Sequence, residues 1–164
     1  KERKIKYELV NILDIINNTL EKLSPFAQKY SLEFVVKCPS DTSLILTDVD
    51  RLTQVLINII DNAIKYTGLK GKGKITIQVG ELEETLEISV IDTGIGIPKK
   101  DIDKIFQRFY RVDRGHNHDV GGTGIGLSIV KDILSSLGGN ISVESEPGQG
   151  SNFIITVPKN KSVE

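Results

Sequence analysis

One segment of the chain is almost entirely apolar, except for a stripe of polar side chains along it. The polar stripe has the i, i+3, i+4 and i+7 spacing of a single helix face and consists of Asn58, Asp61, Asn62 and Lys65. The apolar residues around it are Leu52, Val55, Leu56, Ile59, Ile60, Ala63 and Ile64. Amide oxygens are hard ligands for a metal ion, and a lysine supplies a point charge for phosphate. The pattern therefore indicates a site that binds a metal ion together with phosphate groups.

A competing interpretation is that the polar stripe is the solvent face of an ordinary amphipathic helix. Solvent faces usually carry charges of both signs that pair along the helix. We take the stripe to lack such pairing, which favours a binding site. The alternative stays open on this segment alone.

A second cluster begins at Asp92, at the end of a predicted strand. Asp92 has the same strand parity as three apolar residues, Leu86, Ile88 and Val90, so its carboxylate is predicted to point toward the core. The residues that follow, Thr93-Gly94-Ile95-Gly96, form a backbone able to approach a ligand closely. A buried carboxylate needs a hydrogen-bond donor, and the exocyclic amine of adenine is one candidate. The alternative is that Asp92 only caps the turn at Thr93 and Gly94.

The third cluster places four glycines between 121 and 126, directly before a predicted helix. Free backbone N–H groups at a helix N-terminus bind phosphate. The cluster is not a P-loop, because Leu127-Ser128 follows the last glycine where Lys-Ser/Thr is required. Neither cluster has the third glycine of a dinucleotide fingerprint, and no His-Arg-Asp loop of a protein kinase occurs.

Bulk composition is that of one globular domain. The chain has 164 residues, 38% of them hydrophobic and 26% charged, with a net charge of −1. This charge gives no electrostatic reason to expect nucleic-acid binding. Cys38 is the single cysteine, which excludes an internal disulfide and fits a reducing compartment. The chain contains no methionine, and Lys1-Glu-Arg-Lys4 reads as the end of an upstream linker.

In the first half of the chain, the hydrophobic pattern predicts a strand over Ile5–Val10 and a long helix from Ile12 to Tyr30. Pro25 should bend that helix or shift its start. Strands are predicted over Leu32–Lys37 and Leu44–Leu46. Thr47 is expected to cap the helix that carries the polar stripe, with Asp50 in capping-box position, and Gly68, Gly71 and Gly73 are expected to end it.

The second half predicts a hairpin around Ile75–Val79 and Leu86–Val90, a short helix after Pro98, and an irregular loop over 111–121. A helix opening near Gly124 should bury Ile125, Ile129, Ile133 and Leu137. Two last strands, Ile141–Glu144 and Phe153–Val157, complete the set. We predict an α+β fold, a two-layer sandwich in which a mixed, mostly antiparallel sheet packs against about three helices.

With the clusters in this order, the chain resembles the catalytic, ATP-binding domain of a two-component sensor histidine kinase. That domain belongs to the superfamily shared with gyrase, chaperone and mismatch-repair ATPases. Four segments carry the resemblance: Asn58–Thr67 resembles the N box, Asp92–Ile97 the G1 box, Phe106–Arg111 the F box and Gly121–Leu127 the G2 box. The domain would span 5–159, between a residual linker at 1–4 and a tail at 160–164.

The resemblance implies ATP and Mg²⁺ as cofactors. Asn62 would ligate Mg²⁺ with support from Asn58, and Lys65 and Arg111 would meet the phosphates. The implied catalytic residues are Asn58, Lys65 and Arg111. Arg108 is an alternative to Arg111 as the phosphate partner. The remaining nucleotide contacts would come from Tyr66 on the base, Asp92 on the adenine amine, Gly94, Gly96, Ile97, Gly122, Thr123, Gly124, Ile125, Gly126 and Leu127.

A lid over about 98–123 is also implied, anchored by Phe106 and Phe109 and mobile without nucleotide. The implied reaction transfers the ATP γ-phosphoryl group to a histidine of a separate dimerisation domain, for relay to an aspartate of a response regulator. The chain's two histidines, His116 and His118, lack the surroundings of an acceptor. At position 58, where the hydrolysing relatives carry a glutamate base, the chain has asparagine, which implies weak hydrolysis.

The resemblance further implies a soluble, monomeric, cytoplasmic domain that binds ATP or ADP and no nucleic acid, within a membrane-attached homodimeric parent. Two other functions remain open. One is an anti-sigma-type serine kinase, which the F box and long lid argue against. The other is a nucleotide-binding module without catalytic activity, which the intact Asn62, Asp92 and glycine set argue against.

Overall fold

Seven strands and four helices form within residues 3–112 and 126–160, which are the residues that the computed structural model describes. In chain order they are β1 (Glu8–Val10), α1 (Ile12–Lys29), β2 (Leu32–Lys37), β3 (Ile45–Thr47), α2 (Val49–Lys70), β4 (Gly73–Glu81), β5 (Thr85–Asp92), α3 (Lys99–Ile102), α4 (Gly126–Ser136), β6 (Asn140–Glu146) and β7 (Gly150–Pro158). The predicted α+β fold is confirmed.

The main sheet has five strands in the order β2-β4-β5-β7-β6. Strand β2 is parallel to β4, and the other neighbours are antiparallel, as the mixed, mostly antiparallel prediction requires. Strands β1 and β3 form a separate antiparallel pair. On β5 every second residue is buried, and Asp92 falls on the buried side with only 4% of its surface exposed. The parity prediction for Asp92 is therefore correct.

Helix α2 lies between α1 and α4 and packs on the central strands β4 and β5. Its apolar face is completely sealed: Leu52, Val55, Leu56, Ile59 and Ile60 have no exposed surface. Each such side chain contributes roughly 1.5–3 kcal/mol by burial. This face fixes the rotation of α2 about its own axis, and so fixes where the polar stripe lies. No helix in the described part of the chain is long and apolar enough to cross a membrane.

The helix ends differ from the predictions. Asp48, not Thr47, is the N-cap of α2, and its side chain accepts a hydrogen bond from the Arg51 N–H; Thr47 is the last residue of β3. Gly68 lies inside α2, which ends at a Gly71 C-cap with a φ of +121°. Tyr30 is the C-cap of α1, and α1 runs through Pro25 from an Asn11 N-cap. Of the two alternatives for Pro25, a bend or a shifted start, the shifted start does not occur.

Helix α4 turns a different face inward from the one predicted. Its described buried apolar residues are Val130 and Leu134, and Leu137 just beyond it is also buried, whereas Ile129 is 37% exposed and Ile133 only partly buried. A strict i+4 series drifts about 40° per step around a helix of 3.6 residues per turn. Ile129 is two such steps before the buried Leu137, so it is rotated about 80° away from the buried face. The fourth predicted residue, Ile125, lies outside the described residues.

Candidate functional site

Asn58 connects the polar stripe to the start of α4. Its amide Oδ1 accepts a hydrogen bond from Gln54 Nε2 at 2.8 Å, and its Nδ2 donates to the Gly126 carbonyl at 3.2 Å. Gly126 is both the last glycine of the third cluster and the first residue of α4. Two clusters that are 68 residues apart in sequence are thus in direct contact.

The other stripe residues are half-buried, and two of them pair. Lys65 Nζ lies 2.8 Å from Asp61 Oδ2, with the two side chains 32% and 35% exposed. The expectation that the stripe lacks charge pairing is therefore wrong, because Asp61 and Lys65 are one helical turn apart. A partly exposed pair of this kind contributes only about 0.3–0.5 kcal/mol, so phosphate could displace it. The Asn62 amide has no hydrogen-bond partner within residues 3–112 and 126–160.

The two oxygens of the Asp92 carboxylate have different surroundings. Oδ1 accepts hydrogen bonds from the Gly94 N–H at 2.9 Å and the Ser151 N–H at 3.2 Å. Oδ2 receives no hydrogen bond from the described residues. Burial raises the pKa of Asp92, and the two N–H donors only partly counteract it. Oδ1 thus caps the turn, as one prediction had it, while Oδ2 remains available as an acceptor.

The glycines after Asp92 allow close contacts within the protein. A Cβ on Gly94 would lie 2.8–2.9 Å from the main chain of Tyr66 and Thr67. Gly96 has a φ of +72°, and a Cβ there would lie 2.3 Å from the Glu146 carbonyl oxygen. The loop is therefore packed between α2 and the β6–β7 turn. These contacts give the glycines a structural role beside the predicted close approach to a ligand.

Sequence reasoning missed the serines behind this loop. Ser145 Oγ accepts from the Ile97 N–H at 2.8 Å, donates to the Gly150 carbonyl at 3.0 Å, and lies 2.8 Å from Ser151 Oγ. Ser151 faces Asp92 across the β5–β7 ladder. Only the pairing of these two strands identifies the contact, and a single sequence carries no signal for that pairing. A third missed residue is Thr67, whose Oγ1 is buried without a partner among the described atoms.

The two phenylalanines of the F-box segment behave differently. Phe106 packs against the core, with Lys131 Nζ 6.0 Å from its ring centroid. Phe109 is 72% exposed and has a φ of +64°. The expected anchoring by Phe109 is therefore wrong, because the left-handed backbone turns its side chain outward. Such a conformation costs about 1–3 kcal/mol in a non-glycine residue.

The two candidate phosphate cations also differ. Arg108 Nη2 lies 3.5 Å from Asp132 Oδ2 on α4, in a pair whose side chains are about two-thirds exposed. Arg111 is exposed and has no ion-pair partner in the described part of the chain. This difference favours Arg111 over Arg108.

Several predicted residues lie outside the described ranges. They are Gly122, Thr123, Gly124 and Ile125 of the third cluster, His116 and His118, and the lid from 113 onward. Their roles stay predictions. Of the third cluster, Gly126 and Leu127 are described, and they open α4.

Within the described residues, no group of three or more histidine, cysteine, aspartate or glutamate side chains could hold a metal ion. A Mg²⁺ ion does not require such a group, because it commonly binds through one or two protein oxygens, several waters and substrate phosphates. The Asn62 amide, half-buried and without a partner among the described atoms, fits such a role.

Comparison with known sequences finds a family and individual relatives. The sequence model of the histidine kinase-, DNA gyrase B- and HSP90-like ATPases matches residues 47–161. The sensor histidine kinase WalK of Bacillus subtilis (strain 168) is 39% identical over 158 residues, which are 96% of this chain and 26% of WalK. The chain therefore spans about a quarter of the length of this relative.

Comparison with solved structures finds similar folds in histidine kinases. Full-length ShkA in complex with AMPPNP matches with a TM-score of 0.86 at 28% identity, over 100% of this chain and 33% of ShkA. The catalytic domain of the histidine kinase ThkA, nucleotide-free, matches with a TM-score of 0.81 at 29% identity, over 94% of this chain and 99% of that domain. ThkA in complex with the response regulator protein TrrA matches with a TM-score of 0.79 at 29% identity, over 97% of this chain and 43% of ThkA.

Proposed function

We propose a function for this chain, which belongs to the family of histidine kinase-, DNA gyrase B- and HSP90-like ATPases. It is the ATP-binding catalytic domain of a sensor histidine kinase. The observation that carries the proposal is the Asp92 carboxylate. It is buried at a strand end, held at Oδ1 by two main-chain donors, and without a donor at Oδ2 among the described residues. An exocyclic amine on an adenine base supplies the missing donor.

The phosphates would extend from the base toward the polar stripe and the start of α4. Lys65 exchanges its weak pair with Asp61 for phosphate oxygens, and Arg111 adds a second cation. Asn58 holds the start of α4 against α2. Backbone N–H groups at this helix start would bind the phosphates. Asn62 would hold Mg²⁺, which neutralises phosphate charge when bound. The base would be lined by Tyr66, Gly94, Gly96 and Ile97. The predicted roles of Gly122, Thr123, Gly124 and Ile125 belong to the same proposal, with Gly126 and Leu127.

The chemistry assigned to this chain is the positioning of ATP. A neutral histidine of the acceptor attacks the γ-phosphorus through a ring nitrogen, the bond to the β–γ bridging oxygen breaks, and ADP leaves. The imidazole has its own lone pair, so the chain need not supply a base. Asn58 carries an amide, which does not accept a proton near neutral pH, so activation of water at this position is weak.

Two relatives suggest the partners. ShkA was solved with AMPPNP, and ThkA with the response regulator TrrA. We extend this to the present chain: ATP or ADP as ligand, a histidine-bearing dimerisation domain as phosphoryl acceptor, and a response regulator as the next recipient. The domain, over about 5–159, would act in the cytoplasm as part of a membrane-attached homodimer.

The test has two arms on the 164-residue chain. Calorimetric titration with AMPPNP and Mg²⁺ should show binding, and incubation with γ-labelled ATP should leave the chain itself unlabelled. Adding a separately produced helical domain with the acceptor histidine should then produce acid-labile, alkali-stable label on that domain. Binding without any transfer would favour the nucleotide-binding module without catalytic activity. Stable label on His116 or His118, or label on a serine of an added protein, would contradict the proposal.

A further inference from the structure

Asp101 is another buried carboxylate, and the function proposed above does not use it. It lies in α3, is 3% exposed, and its Oδ1 accepts a hydrogen bond from the Tyr110 hydroxyl nine residues later. Its Oδ2 is buried without a partner among the described atoms. Buried carboxylates that only stabilise a fold usually have both oxygens satisfied, so this one requires an explanation.

The backbone next to Tyr110 is strained, because Phe109 has a positive φ. Phe109 adopts a φ of +64° and leaves its ring 72% exposed, while the next residue, Tyr110, turns inward to pack against the core and reach Asp101. An ordinary backbone at Phe109 would avoid the strain. Strain of this kind persists where the surrounding contacts determine it, and it is concentrated at functional sites.

Neighbouring contacts hold residues 106–110 together and against α4. The Tyr110 N–H donates to the Gln107 carbonyl at 3.2 Å, and Arg108 pairs with Asp132 on α4 at 3.5 Å. Phe106 lies under Lys131 of α4. The last of these fixed points along the chain is Tyr110, and Arg111 follows it directly. The hydrogen bond to the Asp101 carboxylate raises the pKa of Tyr110, because that carboxylate stabilises the protonated phenol.

We infer that Asp101 and Tyr110 are positioning residues whose hydrogen bond fixes the main chain immediately before Arg111, so that this arginine is held ready for the phosphates of ATP. The inference rests on the proposed function, in which Arg111 is the phosphate partner. It assigns no contact with nucleotide to Asp101 or Tyr110 themselves.

The first test compares ligands with and without phosphates. Tyr110→Phe removes only the hydroxyl and should weaken ATP binding about five- to tenfold. This is less than the loss of one direct hydrogen bond to a charged group, because the hydroxyl acts on the phosphates only through the position of Arg111. Binding of adenosine should stay within about twofold of wild type, since the base site at Asp92 is untouched. Tyr30→Phe, which removes a tyrosine hydroxyl elsewhere, is the matched control and should change neither affinity. A merely structural role would lower both affinities together, or neither.

Two further variants make the test independent of folding defects. Asp101→Asn keeps a carbonyl oxygen for the Tyr110 hydroxyl and should retain ATP affinity within about twofold, whereas Asp101→Ala should behave like Tyr110→Phe. Thermal unfolding of every variant shows that the affinities refer to folded protein. Loss of ATP affinity in Asp101→Asn equal to that in Asp101→Ala would overturn the inference.

A double-mutant cycle decides whether Tyr110 acts through Arg111. Arg111→Ala should weaken ATP binding, and adding Tyr110→Phe to it should cause no further loss. Additive losses, or an Arg111→Ala variant with wild-type ATP affinity, would overturn the inference while ATP binding by the wild-type chain still stood. If the wild-type chain failed to bind ATP at all, the proposed function itself would be wrong.

Discussion

Asp48 and Asp92 are both buried carboxylates, at two ends of the fold, and their surroundings are opposite in kind. Asp48 is 1% exposed and has donors on both oxygens: the Arg3 guanidinium at 2.9 Å to each, the Lys6 N–H at 2.9 Å and the Arg51 N–H at 3.1 Å. Asp92 is 4% exposed and, within residues 3–112 and 126–160, has two main-chain donors, both on Oδ1. One carboxylate is fully satisfied by the fold, and the other is half satisfied.

The pKa values of the two groups follow this difference. Burial opposes ionisation of Asp48, but the hydrogen bonds from Lys6, Arg51 and Arg3 outweigh it, and its pKa is lowered. Burial dominates at Asp92, and its pKa is raised. Asp48 therefore stabilises the junction of the N-terminal segment with α2. The raised pKa and the Oδ2 without a donor among the described residues support the proposal that Asp92 binds a ligand.

The largest expected effect on stability is at the satisfied carboxylate. Asp48→Ala removes the α2 cap and leaves Arg3 and the Lys6 and Arg51 amides without their acceptor, so the free energy of unfolding should fall by roughly 2–4 kcal/mol. Asp50→Ala is the matched control, since Asp50 is exposed in the first turn of the same helix. It should cost no more than about 0.5 kcal/mol. Urea denaturation measures both, and equal losses would refute the special role of Asp48.

Near Asp92, a substitution that disturbs packing should lower the free energy of unfolding more than one that removes the charge. In Gly94→Ala the new Cβ would lie 2.8 Å from the main chain of α2 at Tyr66, which cannot move aside as a side chain could. We expect a loss of about 1–3 kcal/mol in unfolding free energy. Gly80→Ala is the control, because a Cβ there meets nothing within 4 Å. A Gly94→Ala variant as stable as Gly80→Ala would show that the loop is not tightly packed against α2.

Acid titration should separate the two carboxylates. The folded pKa of Asp48 is lowered, so its contribution to stability is present above its unfolded pKa, about 3.9, and is lost as the pH falls through the lower folded value. The difference in unfolding free energy between wild type and Asp48→Ala should therefore narrow below about pH 4. A difference that stays constant between pH 7 and pH 3 would mean that the ionised carboxylate is not the stabilising group.

The smallest expected effect has the opposite sign. The folded pKa of Asp92 is raised, so a cost in stability builds up as the pH rises above the unfolded pKa and is complete above the folded pKa; below the unfolded pKa there is no cost. Asp92→Asn keeps an oxygen for the Gly94 and Ser151 amides and carries no charge. It should unfold at a slightly higher temperature than wild type at pH 7, with the gain disappearing at acid pH. A lower unfolding temperature at pH 7 would contradict this reading of Asp92.

The periodicity of the sequence predicted which side chains share a face within a single strand or helix. The parity of β5 predicted the buried Asp92, and the helical spacing of 58–65 predicted the stripe on α2. The errors concern contacts between elements or fine geometry: the Asp48 cap is also a partner of Arg3, which is 45 residues away, and Ser151 meets Asp92 only through strand pairing. The F-box resemblance implied an anchoring role for Phe109, but the backbone angle that turns its side chain outward leaves no trace in residue type.

The affinity of Asp92→Asn for ATP tests the central claim most directly. Calorimetric titration of the wild-type chain, Asp92→Asn and the control Asp50→Ala with AMPPNP and Mg²⁺ should be done at pH 7, under conditions where all three are folded. We predict that Asp92→Asn loses roughly ten- to a hundredfold in affinity, equivalent to one hydrogen bond to a charged group at about 1.5–3 kcal/mol, and that Asp50→Ala binds like wild type. Wild-type affinity in Asp92→Asn would mean that the carboxylate only caps its turn, and that the base is recognised elsewhere.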